Sequence, residues 1–484
     1  MMGHFTLYLS RHFHWTSLTV AMFFFHGCQT QSPRSQRKEP ATTPNTETGD
    51  NVSSKSDSSG SPPPAGPNAH TVMIIDDGFD ASHEVFKSKV VGQYTVSCDQ
   101  EKIAIPESEF NGTSAEQAKT VLRNRYLSPK STCKVTEGIK FTKPADFTRI
   151  QQFRDKWNEG LRQKVGTLDG ATVQNITRIL SSSGKFHGTN TSGLIAYQNP
   201  DVKLVLVQME LGGPNSPRVR ALCPTQRGVN NWVEAHKDSA VRKGFIEGPS
   251  DTFESALDDV AKKHQVTLVN MSFGREPRSL HEKTLADAGC GQIDYRQYYE
   301  ITNELDRARA AFQKSRDTEK NRRQPLAIQA AGNDGVRIDS TSDSFECSDP
   351  QGNLLVAGSL DVTGQRSRFS NFGRCVDYYI LGSRVVVAAP DNFLHVVNGT
   401  SFSSPLLARY ITREFPASEP AASIVSKLKA KADGSGNLTK GAVPAELSYE
   451  DDQASIGAYA LTDDREKPEP LYLPLHFRWG MGGI

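Results

Sequence analysis

The chain has no excess of either charge: 56 Lys and Arg stand against 55 Asp and Glu, a formal net charge of +1. A chain this close to neutral has no global field to draw it to nucleic acid or to an anionic membrane. The apolar stretch from Trp15 to Phe25 is too short to span a bilayer and has the length of a signal-peptide core. A mean hydropathy of −0.51 excludes a polytopic membrane protein. No two cysteines are spaced Cys-x-x-Cys, which argues against zinc or thioredoxin-like chemistry. There is no Gly-x-Ser-x-Gly for an α/β-hydrolase nucleophile, no EF-hand spacing among the acidic residues and no internal repeat. What is there is ample for folding. The 484 residues are 36% hydrophobic with 38 Gly besides, enough for a sizeable core in one large domain or a few smaller ones.

Arg11, His12 and His14 precede the apolar stretch, which ends in Phe25-His26-Gly27-Cys28. A small residue followed by Cys at this point resembles a bacterial lipoprotein signal. That resemblance implies a signal peptide over 1–27, a lipid on Cys28, and an exported protein anchored to the cell envelope. Residues 28–70 are rich in Ser, Pro, Thr and Gln, with Val52 their only large apolar residue. Such a segment cannot bury enough surface to offset its chain entropy, so it reads as a disordered tether and not as a folded prodomain. With Cys28 set aside, Cys98, Cys133, Cys223, Cys290, Cys347 and Cys375 are even in number and predict disulfides. Proximity in sequence suggests Cys98–Cys133 and Cys347–Cys375.

From Thr71 the pattern changes. Short apolar runs recur at Thr71–Ile75, Val202–Met209, Val266–Met271, Leu326–Ala330, Leu354–Ala357 and Val385–Ala388. Their unbroken apolar character predicts strands buried on both faces, as in a parallel sheet. Helical periodicity falls between them, at Phe253, Ala256, Leu257, Val260 and Ala261, and again at Tyr298, Ile301, Leu305, Ala308 and Phe312. Strands alternating with helices predict an α/β domain with a doubly wound, mainly parallel sheet, whose sites form at the carboxyl ends of the strands.

Chemistry-bearing residues stand at those ends or at helix starts. Asp76 follows the first run, His187 opens His-Gly-Thr, Asn333 lies in Ala-Ala-Gly-Asn-Asp-Gly, and Ser401 lies in Asn-Gly-Thr-Ser-Phe-Ser-Ser-Pro. Any one of these alone is a turn residue or a helix cap. Together and in this order they resemble the subtilase family of serine peptidases, over roughly residues 71–94 and 186–415. The resemblance implies a catalytic domain over 71–425 with an insertion at about 95–185 and a C-terminal extension over 426–484. It implies that Ser401 is the nucleophile, His187 its base and Asp76 the acid that orients the imidazole, with Asn333 an oxyanion donor. Asp77 and Asp80 compete with Asp76; its place directly after the strand favours Asp76. Ser272, Phe273 and Gly274 resemble the family's substrate-binding strand, and with Ala331 and Gly332 would border the pocket ahead of the scissile bond. Small residues there suggest room for a sizeable apolar side chain. Pro405 is expected early in the nucleophile's helix, where its missing N–H costs least.

Some positions depart from the family. Asn190 stands where a second His is frequent, and Ile380-Leu381-Gly382 replaces the usual Ala-Pro-Gly. The expected partners are polypeptide substrates and, through the lipid anchor, a membrane; nucleic acid is not expected. No metal or other cofactor is expected in the chemistry; the resemblance admits calcium, but no site is legible. The rival readings are a serine esterase or acyl transferase on the same triad, and a non-catalytic surface binding protein. In the insertion, Phe147, Ile150, Phe153, Trp157 and Leu161 share a helical face and 115–127 is helix-like. This predicts one small helical subdomain packed beside the cleft.

Overall fold

The computed structural model describes residues 69–432, apart from 99–106, 128–132, 144, 164, 182–185, 211–222, 249–251, 275, 288, 320–323, 345–346 and 348–352. The predicted signal peptide, Cys28, almost all of the tether and residues 433–484 of the C-terminal extension lie outside the described residues.

The strands are β1 (Thr71–Asp76), β2 (Val90–Cys98), β3 (Cys133–Glu137), β4 (Lys203–Glu210), β5 (Leu268–Met271), β6 (Leu326–Ala330), β7 (Leu354–Leu360), β8 (Tyr378–Leu381), β9 (Val385–Ala389) and β10 (Phe393–Val397). The helices are α1 (Ala115–Leu127), α2 (Phe147–Ile150), α3 (Arg154–Gln163), α4 (Gly170–Ser181), α5 (His187–Ala196), α6 (Gln226–Lys237), α7 (Ser239–Glu247), α8 (Thr252–Lys263), α9 (Arg278–Asp287), α10 (Arg296–Glu319), α11 (Thr400–Glu414) and α12 (Ala421–Lys431).

Eight strands form one sheet in the order β3-β2-β4-β1-β5-β6-β7-β8. All neighbours are parallel except β2 and β3. The central strand β1 is buried along its whole length, and its alternate side chains serve opposite faces. Val72 and Ile74 enter one core with Leu194 of α5, Leu406, Leu407 and Ile411 of α11, and Leu428 of α12. Met73 and Ile75 enter the other with Leu257, Val260 and Ala261 of α8. Helices on both faces are what let β1 be buried throughout, and they make the sheet doubly wound, as predicted.

Two expectations need correction. The run at Val385–Ala388 is a strand, but not in the main sheet: β9 pairs antiparallel with β10 as a separate hairpin. The connection is only Pro390-Asp391-Asn392, too short for a parallel crossover. Asp391 and Asn392 turn it with φ of 63° and 61°, a left-handed conformation these two residue types tolerate. β2, β3, β8 and β10 were not anticipated; in β2 only Tyr94, Thr95 and Val96 are buried, so no long apolar run marks it.

The insertion is likewise not one helical subdomain. The end of β2, with β3, extends the main sheet. Helix α1 places Ala118 and Leu122 against Trp232 and Val233 of α6, Val241 of α7 and Tyr298 of α10. Helices α2 to α4 form a different core, in which Phe147, Ile150, Trp157, Leu161, Val173 and Ile176 meet Val386, Ala389, Phe393 and Val396 of the hairpin. The Phe147–Leu161 face is broken by a 3₁₀ turn at Gln151–Phe153. The Trp157 indole donates to the Leu394 carbonyl (2.7 Å), and the Asn158 amide donates to the Asn392 carbonyl (2.7 Å) and accepts from the Leu394 N–H (2.8 Å). Lys143 pairs with Asp391.

Cys347–Cys375 is bonded, as proximity suggested, and Cys223–Cys290 ties the start of α6 to the segment before α10. Cys133 is also disulfide-bonded, and its register partner across the β2–β3 ladder is Cys98. Among the described residues no helix is long and apolar enough to cross a membrane.

Candidate active site

Strand β1 ends in Asp76, which is fully buried. The start of α5 is stitched to the loop that follows. Gly188 N–H donates to the Asp77 carbonyl (2.7 Å), Thr189 N–H to the Gly78 carbonyl (3.2 Å), and Asp80 N–H to Thr189 Oγ1 (2.7 Å). Only glycine fits at 188, since a Cβ there would stand 2.6 Å from the Asp77 oxygen and the Phe79 ring. This seam sets His187 Nδ1 2.7 Å from Asp76 Oδ1. Asp76 also accepts from the Asp77 N–H (2.8 Å) and, on Oδ2, from Thr191 Oγ1 (2.9 Å), one helical turn beyond His187.

Of the three acids the sequence left open, Asp76 is the one bonded to the imidazole. Asp80 is instead a tie between segments: its Oδ1 accepts from Ser82 and its Oδ2 from the Asp391 N–H (3.0 Å). Asp77 keeps one carboxylate oxygen buried with no partner among the described residues. Burial, then the charge of Asp76, push its carboxyl up to about 7 against the pull of His187 and of its own backbone N–H. Burial acts on His187 in the opposite sense, but the charge and hydrogen bond of Asp76, with the charge of Asp77, outweigh it and hold the imidazole above its ordinary range.

Ser401 is the second residue of α11 and is 7% exposed. Gly399 turns the chain into this helix at φ 152°, ψ 149°, a conformation that requires glycine. The first turn is moored to the sheet: Ser403 Oγ donates to the Ile380 and Leu381 carbonyls (3.3 Å each), and Ser404 Oγ lies 3.2 Å from Ser272 Oγ. This explains why glycine is needed at 382 in the departed motif: a Cβ there would collide with Ser403 Oγ and stand 2.5 Å from Ser359 Oγ. The Phe402 ring lies 5.7 Å from the His187 ring. Among the described residues Ser401 Oγ makes no hydrogen bond. Pro405 is not in the first turn; as the sixth residue of α11 it removes the bond that would return to the Ser401 carbonyl.

Asn333 lies in the loop after β6. Its Oδ1 accepts from both the N–H and the hydroxyl of Thr400 (2.9 Å each), which fixes the amide with Nδ2 as the unused donor beside Gly399. Gly332 N–H donates to Thr400 Oγ1 (3.1 Å). The predicted substrate-binding residues Ser272, Phe273, Gly274, Ala331 and Gly332 are all buried. A Cβ on Gly274 would stand 3.2 Å from Gly332 Cα, so the two segments approach closely at that point. Asn190 donates to the Ala388 carbonyl (2.6 Å), tying α5 to the hairpin.

Thr191 and Thr400 were missed as site residues, although the first shares a helix face with His187 and the second adjoins Ser401. Asn371, described below, left no signal. Among the described residues, the group of His, Cys, Asp or Glu close enough to share a metal ion is Asp76, Asp77 and His187. It does not fit calcium, which takes only oxygen ligands and several of them, because it includes an imidazole and Asp76 is already committed.

Acid, imidazole, hydroxyl and amide on the carboxyl edge of a doubly wound sheet are the parts of the serine-hydrolase class. The Subtilase family profile (peptidase S8) matches residues 68–437, and the chain belongs to that family. Subtilisin-like protease 7 of Trichophyton verrucosum is 40% identical over 83 residues, 17% of this chain and 19% of that protein. Subtilisin-like protease 3 of Arthroderma otae is 38% identical over 76 residues, 16% and 18%. The chain thus spans just under a fifth of the length of these curated relatives. Among solved structures, a cold-adapted subtilisin-like serine proteinase aligns at TM-score 0.34 and 16% identity over 78% of this chain and 89% of that one. A lanthipeptide protease aligns at 0.34 and 15%, over 77% and 83%.

Proposed function

We propose that the protein is a serine endopeptidase that hydrolyses peptide bonds through an acyl-enzyme on Ser401. The observation that carries this is the 2.7 Å contact between buried Asp76 and His187, on a helix packed against the one whose first turn holds Ser401. Ser401 Oγ attacks the scissile carbonyl while the far nitrogen of His187 takes its proton. The Nδ1–H stays on Asp76, which fixes the tautomer and stabilises the imidazolium. Asn333 Nδ2 and the Ser401 N–H, at a helix start, receive the oxyanion. His187 returns the proton to the leaving amine, and water repeats the sequence to release the acid. No cofactor takes part in these steps. The Ser401–His187 hydrogen bond that the relay requires would form when substrate binds. Ser272 to Gly274 would pair with the substrate as an added strand, and with Ala331 and Gly332 would border the pocket ahead of the scissile bond.

The disulfides fit an oxidising compartment, and we infer export on that ground. Lipidation of Cys28 remains part of the proposal, and membrane association unchanged in Cys28→Ser would refute it. Labelling with a fluorophosphonate followed by incubation with casein tests the activity. Labelling at Ser401 with casein cleavage is expected. Labelling without cleavage would favour an esterase or acyl transferase, and no labelling a binding protein.

A further inference from the structure

Asn333 occupies an arc, residues 331–336, that belongs to no helix or strand. An oxyanion donor must be held to within a fraction of an ångström, and a displacement of about 1 Å costs roughly 10²-fold in rate. Thr400 Oγ1 accepts from Gly332 N–H, Gly335 N–H donates to the Phe369 carbonyl and Phe372 N–H to the Val336 carbonyl, but the side chain that spans the arc comes from another loop. Asn371 is fully buried. Its Nδ2 donates to the Ala331 carbonyl (3.0 Å) and to Asp334 Oδ2 (3.2 Å). Its Oδ1 accepts from the N–H groups of Asp334 and Val336 (3.1 Å each). Its own N–H donates to the Gly332 carbonyl (3.0 Å). Both donors and both lone pairs of the amide are used, all on the arc, on either side of Asn333. The approach is close enough that a Cβ on Gly332, which sits at φ 95°, would stand 2.5 Å from Asn371 Nδ2.

We propose that Asn371 is a positioning residue for catalysis: it fixes the arc so that Asn333 Nδ2 faces the reacting carbonyl. This rests on the serine-peptidase reading above. Thr400 ties the Asn333 side chain to the nucleophile's helix, and Asn371 sets the backbone from which that side chain springs. The Asn371 side chain bonds to Ala331, Asp334 and Val336 and not to Asn333 itself.

Asn371→Asp keeps the shape and the acceptor but replaces the donor with a charge facing Asp334. In the folded variant kcat should fall about 10- to 100-fold with KM changed less than about twofold. In an Asn333→Ala background the same change should cost less than about twofold, because the residue it positions is gone. Combining Asn371→Asp with Asp334→Asn restores the 371–334 hydrogen bond but not the one to the Ala331 carbonyl, and should recover part of the lost kcat. Unchanged kcat in a folded Asn371→Asp, or an equal loss in the Asn333→Ala background, would overturn the inference. If Asn371→Asp does not fold, the exchanged pair and Asn371→Ser carry the test. Loss of the fold in all three would also overturn it, since the residue would then serve the whole domain. Failure of the underlying reading looks different: full activity in Ser401→Ala or Asn333→Ala sinks the catalytic assignment, whatever Asn371 does.

Discussion

The site and the insertion between two of its segments are held together in different ways. At the site, the contacts run between a few short motifs: the loop after Asp76 meets the start of α5, and the Asn333 loop meets the start of α11. In the insertion, Trp157 and Asn158 are held by Leu394 and Asn392, more than 230 positions on in the chain. Motif order therefore carries information about the site, whereas nothing near Trp157 in sequence says what it will pack against. The insertion's apolar residues and the hairpin's share one core, and the hairpin leads directly into the segment that carries Ser401.

The largest contrast should come from exchanging the two adjacent acids. Asp76→Asn presents an amide to Nδ1 and favours the wrong tautomer, so kcat should fall by about 10⁴. Asp77→Asn leaves the imidazole's partner in place, so kcat near neutral pH should change by less than about threefold. Steady-state kinetics on one peptide decide this, and the opposite ranking would mean that the wrong acid is assigned.

Trp157→Ala tests the insertion. It removes a buried indole and leaves the Leu394 carbonyl without its donor, at a cost of about 3–5 kcal/mol. Denaturant unfolding should show this loss, while kcat/KM of the folded fraction stays within about threefold. A change below about 1 kcal/mol would make the insertion a surface ornament.

The smallest effect concerns pH. The Asp77 charge is one of the influences that raise His187. In Asp77→Asn the ascending limb of kcat/KM should therefore move to lower pH, by less than about one unit. Stability has its own sign. The Asp77 carboxyl is raised from 3.8 in the unfolded chain to about 7 in the fold. Unfolding then releases a proton between those values, and stability falls as pH rises through them. Asp77→Asn should be more stable than the unmodified chain at about pH 8, and the gain should vanish near pH 3. A limb displaced upward would contradict the electrostatics described.

Much of this was legible before the structure, for physical reasons that differ by element. β1 is buried on both faces and shows as an apolar run from Val72 to Ile75, and β6 is mostly apolar, with Gln329 buried in it. β2 and β10 show no such run: β2 is buried only at Tyr94, Thr95 and Val96, and β10 carries His395. Val385–Ala388 read as a parallel strand because burial does not reveal the partner's direction. Asp76, His187, Asn333 and Ser401 were legible through motif order. Asn371 was not, because its function lies in hydrogen bonds to backbone groups up to 40 positions away.

The central claim is that Ser401 and His187 act as one relay. Measuring kcat/KM for Ser401→Ala, His187→Ala and the double variant on one peptide tests it directly. The account predicts that each single change removes activity by several orders of magnitude and that the double is within about threefold of either. A double variant whose loss is the product of the two single losses, or a Ser401→Ala enzyme that retains full peptidase activity, would contradict it.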